Sequence, residues 1–175
     1  MPKHFYSFII LLQLIDILYG SFEAGSFGLS WIDSHHEIDF LFTTHFSEST
    51  NNIYSAIGFS KDTKMVNKIE TILCVKSKVI NIWFLLKGED GVVYCTLSNN
   101  GSSVIQAYNP SKVRPVLLDA KNPSIGLSNI KVKFENGKLI CSFKRAKHLP
   151  GINNYFDLNN KYYILLALGK LNEEG

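Results

Sequence analysis

The chain has 175 residues, one domain's worth, of which 46% are hydrophobic and 13% aromatic, too apolar a mix for a disordered chain. Its 18 basic and 15 acidic residues leave a net charge of +3, too even for the electrostatic footprint of a nucleic-acid binder. Three cysteines exclude a dense disulfide scaffold, none of them forms a CxxC zinc pair, and no apolar run reaches the ~18 residues of a membrane-spanning helix.

Residues 1–20 read as a secretory leader. A basic start is followed by an apolar stretch from Phe8 to Tyr19 and a small-residue exit at Gly20 and Ser21. Asp16 interrupts the apolar stretch, and a buried N-terminal helix is the alternative. A leader makes residues 21–175 the mature domain and takes it through an oxidising compartment. Asn100-Gly101-Ser102 is then a usable N-glycosylation acceptor in a turn. Proline blocks the two others, Asn109-Pro110-Ser111 and Asn122-Pro123-Ser124.

The mature part reads as strands and turns. Ile38, Phe40 and Phe42 alternate with Asp39 and Leu41. Residues 53–59 form a short β-branched and aromatic run, closed by Ser60-Lys61-Asp62. Val92, Val93 and Tyr94 lead to Cys95, and the turn residues Asn99-Asn100-Gly101 separate them from Val104, Ile105, Ala107 and Tyr108. Ile130, Val132 and Phe134 alternate with charged residues up to Asn136-Gly137, a two-residue hairpin signal. Leu139, Cys141 and Phe143 alternate on the return strand, and residues 162–168 are a last apolar strand ended by Gly169. No window shows a capped 3.6-residue period. The expectation is an all-β sandwich of roughly ten antiparallel strands.

Four segments in order then carry a family resemblance. They are Leu29-Ser30-Trp31, with Trp31 opening the first strand; Ala56-Ile57-Gly58-Phe59-Ser60 with Asp62 and Met65; residues 135–145, from Glu135-Asn136-Gly137 to Phe143-Lys144-Arg145; and Tyr162-Tyr163-Ile164-Leu165-Leu166-Ala167-Leu168-Gly169. From about residue 29 to the C-terminus the chain resembles the DOMON domain, most closely the branch found in ferric-chelate reductase-like proteins. The resemblance implies an immunoglobulin-like β-sandwich, in agreement with the strand pattern.

It also implies chemistry. Several DOMON domains bind haem b and pass single electrons, the iron held by a Met and a His. That pair raises the reduction potential and leaves no open coordination site. Met65 matches the Met; core filling is its alternative role. The matching His would lie beyond Gly175, so the chain reads as truncated or as a copy without that ligand. Of the five histidines, His4 is in the leader. His35 and His36 sit before a strand, where neighbours face opposite ways and make a poor metal pair, and His45 ends that strand. His148, in a loop between late strands, is the internal substitute. Cys95 and Cys141 match family cysteine positions and would pair, with two buried thiols as the alternative; the long loop would make the bridge worth ~4 kcal/mol.

One segment departs from the family pattern. Residues 66–87 separate Met65 from Gly88-Glu89-Asp90-Gly91-Val92-Val93-Tyr94-Cys95, where the family runs on directly. They hold Cys74, Trp83 and an apolar run at residues 79–86, and their four lysines against one Glu account for the whole net charge. They read as a retained intron; an inserted hairpin with strands near 71–76 and 79–86 is the alternative.

No Gly-x-Ser-x-Gly, His-Glu-x-x-His or phosphate-loop motif is present. Asp33, Glu37 and Asp39 read as a solvated face, and Asp62 and Asp157 as turn caps. Two functions follow. One is a secreted or membrane-surface haem-binding electron-transfer module, working beside a transmembrane b-type cytochrome or other redox partner. The other is an extracellular interaction domain without haem, binding a protein or a carbohydrate.

Overall fold

The computed structural model of the chain describes residues 19–47, 51–61, 89–110 and 115–171. Met65, Asp62, Cys74, residues 1–18 and the whole of 66–87 lie outside the described residues. Ten strands are described: β1 (Tyr19–Ala24), β2 (Phe27–Asp33), β3 (Glu37–His45), β4 (Ile53–Ser60), β5 (Asp90–Ser98), β6 (Gly101–Asn109), β7 (Val116–Leu117), β8 (Leu127–Glu135), β9 (Lys138–Ala146) and β10 (Tyr163–Lys170). They form two five-stranded sheets, ordered β1-β2-β3-β9-β8 and β10-β4-β5-β6-β7, and every pairing is antiparallel. The all-β sandwich expected from the sequence is the fold.

Period-2 alternation decides what each strand buries. Ile38, Phe40 and Phe42 of β3 turn inward, against Leu139, Cys141 and Phe143 of β9 and Phe27 and Leu29 of β2. Ile53, Ile57 and Phe59 of β4 and Val93 and Cys95 of β5 meet them from the other sheet. The β4 run shows no alternation in sequence because both of its faces are buried: Ala56, Gly58 and Ser60 on the outward side are as hidden as Ser55, Ile57 and Phe59 on the inward one. Gly58 lies against Leu165 of β10, where an added Cβ would come within 3.1 Å of the leucine Cβ.

Among the described residues, a disulfide and a hydroxyl pair are two of the links that cross between the sheets. Cys95 on β5 and Cys141 on β9 are bonded, with Cα atoms 6.4 Å apart. Thr44 on β3 and Ser55 on β4 share a buried hydroxyl–hydroxyl hydrogen bond of 2.5 Å. The pairing of Cys95 with Cys141 is the one the family positions implied, and an inter-sheet bridge of this kind is a recurrent device of immunoglobulin-type sandwiches.

Several details differ from the sequence expectations. Trp31 lies near the end of β2, not at the opening of the first strand. β1 ahead of it spans Tyr19–Ala24, and Gly20 lies against the Trp31 indole, which an added Cβ would meet. The sequence pattern groups Ile130 with Val132 and Phe134. The register of β8 shifts between Ser128 and Lys131, Asn129 takes a positive φ of 51°, and Ile130 is left 37% exposed. The Asn136-Gly137 turn forms as expected, with φ of 50° and 73°, the left-handed pair a tight hairpin requires.

Candidate functional site

At one end of the sandwich the chain leaves β4 at Lys61, re-enters β5 through Glu89 and leaves β6 at Pro110. The connection from β9 to β10, residues 147–162, folds back over the same end. Between them lies a cleft of about 720 Å3, lined by Ser60, Lys61, Glu89, Asp90, Tyr108, Pro110, Asn154, Tyr155, Phe156, Asp157, Asn160 and Tyr162.

Arg145 stands behind two of these residues, Tyr155 and Phe156. The alternation that buries Leu139, Cys141 and Phe143 continues to Arg145, which is fully buried. Its Nε–H donates to Gln106 Oε1 at 3.0 Å, Nη1 to the Ala146 carbonyl at 3.3 Å and Nη2 to the Phe156 carbonyl at 2.9 Å. The guanidinium lies 5.2 Å from the Phe59 ring centroid and 4.2 Å from that of Tyr155. Burial pulls its pKa down to about 10; no carboxylate among the described residues pairs with it directly, and the nearby Asp157 charge offsets only a small part of that cost. The guanidinium remains charged at neutral pH. Tyr155 completes the anchor by donating to the Ala146 carbonyl at 2.6 Å. Its ring covers Gly126, which has φ of 75° and leaves no room for a side chain.

Aromatic rings form the wall. Phe156 packs 6.3 Å from Tyr108 and 5.4 Å from Tyr162, and the Lys61 ammonium stands 5.8 Å from the Phe156 centroid. Gly91 lets Phe156 sit there, since an added Cβ would come within 2.8 Å of the ring. Asn109, between Tyr108 and Pro110, is fully buried, and its amide nitrogen and oxygen have no hydrogen-bond partner among the described residues.

Asp157 links this wall to His148. Its Oδ1 accepts from the backbone and side-chain N–H groups of Asn159 at 2.9 and 2.7 Å, the turn-capping role read from the sequence. Its Oδ2 is 3.1 Å from His148 Nδ1. The Asn159 backbone hydrogen bond, then its side chain and the nearby imidazole, hold the carboxyl below the usual range. The His148 side chain is 60% exposed and does not line the cleft.

The other sequence candidates lie elsewhere. Asn100 is exposed at the opposite end. His35 and His36 are exposed and stand edge to face with centroids 4.3 Å apart, because they occupy a bend before β3 and not an extended strand. No cluster of three metal-ligating side chains occurs among the described residues. The acidic cluster near β3 is paired: Glu37 and Asp39 with Lys144, and Asp33 with Lys147. Arg145 and Tyr155 were not singled out from sequence. The signal for Arg145 was there, since it continues the inward positions of β9.

Fold and site together define an antiparallel β-sandwich with an aromatic cleft at one end and a disulfide across its middle. The chain is similar to ferric-chelate reductase 1 of Homo sapiens, 31% identical over 86 residues, and of Bos taurus, 32% identical over 82 residues. The matched region is 49% of this chain but 14% of the human protein, and 47% but 13% of the bovine one. No family model and no solved structure matches.

A volume of this size falls within the roughly 300–1,000 Å3 of small-molecule sites. Flat aromatic faces and a lysine suit the ring and the carboxylate edge of a porphyrin. The iron is less well served, because none of the described lining residues is His, Met or Cys.

Proposed function

We propose that the chain is an extracellular DOMON-type module that takes part in electron transfer in a system akin to ferric-chelate reductases. The cleft carries this reading. β4 ends at Ser60, which with Lys61 lines the cleft beside its aromatic wall, and Asp157 of the same lining stands 3.1 Å from His148 Nδ1. The likeness to ferric-chelate reductase 1 supports it, and the Cys95–Cys141 bond suits an oxidising compartment.

Met65 and His148 are the residues of this chain that would hold the iron of haem b, which would supply a one-electron couple. Asp157 Oδ2 stands 3.1 Å from His148 Nδ1, the kind of carboxylate contact that orients ligating histidines. Tyr108, Phe156 and Tyr162 exclude water, and Lys61 places a positive charge at the mouth. A transmembrane b-type cytochrome is the natural class of partner.

An interaction module without haem is the second reading. The observation that favours it is that His148 is exposed and outside a cleft lined by phenols, carboxylates and amides, groups that suit a carbohydrate or a polar peptide.

Absorption spectra of the full chain after haem addition, oxidised and dithionite-reduced, separate the two. Haem ligation gives a sharp Soret band with split α and β bands on reduction. Met65→Ala should abolish these features and His148→Ala should convert them to a five-coordinate spectrum. A featureless spectrum sinks the redox reading.

A further inference from the structure

We infer that Asn100 carries an N-linked glycan, and that the glycan marks the end of the sandwich opposite the cleft. The inference rests on the extracellular half of the proposed function and not on haem.

The acceptor Asn100-Gly101-Ser102 forms the tip of the β5–β6 hairpin, where Ser98 pairs with Gly101. Asn99, Asn100, Gly101 and Ser102 are all exposed. Ser98 helps to organise the turn: its hydroxyl donates to the Gly101 carbonyl at 3.1 Å and accepts from the Asn100 backbone N–H at 3.2 Å. The positive φ falls on Gly101, at 125°, where glycine bears no strain. No described hydrogen bond uses the Asn100 carboxamide, so its Nδ2 is available for substitution.

The remaining Asn-x-Ser triplets are excluded twice over. Each has proline in the middle. Asn109 is also fully buried, and the Ser124 hydroxyl is committed to the Val104 carbonyl at 2.6 Å.

In the transfer, Asn100 Nδ2 forms a bond to the anomeric carbon of a polyprenyl-diphosphate-linked oligosaccharide. The carbon–oxygen bond to diphosphate breaks, the lipid diphosphate leaves with the bonding electrons, and the amide gives up one proton.

The cleft opens at the Asp90 end of β5 and the acceptor lies past Ser98 at the other end. At about 3.3 Å per residue the nine-residue strand separates them by roughly 30 Å. A glycan there covers the hairpin tip and leaves the cleft open to a partner.

Translation of the full chain in the presence of endoplasmic-reticulum microsomes tests this. The expected result is one mobility shift, reversed by an amidase specific for N-glycans, lost in Asn100→Gln and in Ser102→Ala, and kept in Ser102→Thr. A shift that survives Asn100→Gln overturns the assignment. So does an unshifted chain that is protected from added protease, because it entered the lumen and was not used. An unshifted and unprotected chain overturns the compartment on which the inference rests. The haem spectra are independent: the shift can appear in a chain that binds no haem.

Discussion

Arg145 shows how one residue organises a site from beneath. It spends its charge on two carbonyls and an amide oxygen and on no carboxylate among the described residues. Removing it takes the guanidinium donors from Gln106 Oε1 and the Phe156 carbonyl, while the Ala146 carbonyl keeps the Tyr155 hydroxyl. Arg145→Met is therefore expected to lower stability by about 3 kcal/mol, read as a lower urea midpoint at unchanged slope. Arg145→Lys keeps the charge but loses the fork and should recover less than half of that. The pH dependence has a definite sign. The folded pKa, about 10, lies below the ordinary 12.5, so burying the charge costs stability at all pH values below about 10. That cost fades as pH rises from there toward 12.5. The sequence offered Arg145 only as the end of a motif. Its hydrophobic pattern stops at Phe143, and an arginine at the next inward position reads as the strand leaving the core. Met65 and His148 were legible through family resemblance alone, since no local pattern separates a ligand from a gap-filling methionine or a surface histidine.

At the scale of elements, legibility followed burial. β3 and β9 have one buried face in the centre of a sheet, and their alternation was plain. β4 is hidden on both faces over most of its length and showed itself as a short β-branched and aromatic run. β1 and β7 were missed. β1 is an edge strand of mixed residues paired to a single neighbour, and β7 is two residues long. The Asn136-Gly137 turn was legible because its chemistry is local. Gly137 has φ of 73°, and a Cβ there would also come within 3.3 Å of the Phe46 carbonyl oxygen. Gly137→Val should cost about 1–2 kcal/mol and weaken the β8–β9 pairing, visible as faster amide exchange in both strands.

The molecule as a whole is polarised along its strands. One end gathers Arg145, the aromatic wall and the longest described connection. The other holds tight turns, with Asn99 N–H donating to Asn52 Oδ1 at 3.4 Å and Phe46 N–H to the Gly137 carbonyl at 2.8 Å. This division suits a scaffold that varies its loops on one side while hairpins fix register on the other. The sequence announced the hairpin end through its Asn and Gly residues. It was silent on the cleft end, where distant residues meet.

The Cys95–Cys141 bond also decides how the molecule bears load. It ties β5 to β9 and closes a span of 46 residues. When the sandwich is pulled apart from outside that span, those residues cannot pay out. At about 3.5 Å per residue, the oxidised chain should extend roughly 160 Å less than the reduced one. Single-molecule force traces with and without reductant read that difference directly, and equal contour lengths would show that the bond does not form in solution. While the bond is intact, the strands from β6 to β8 and parts of β5 and β9 stay looped between the two cysteines. Only the flanking strands can be stretched out, which makes the sandwich a tether of limited reach.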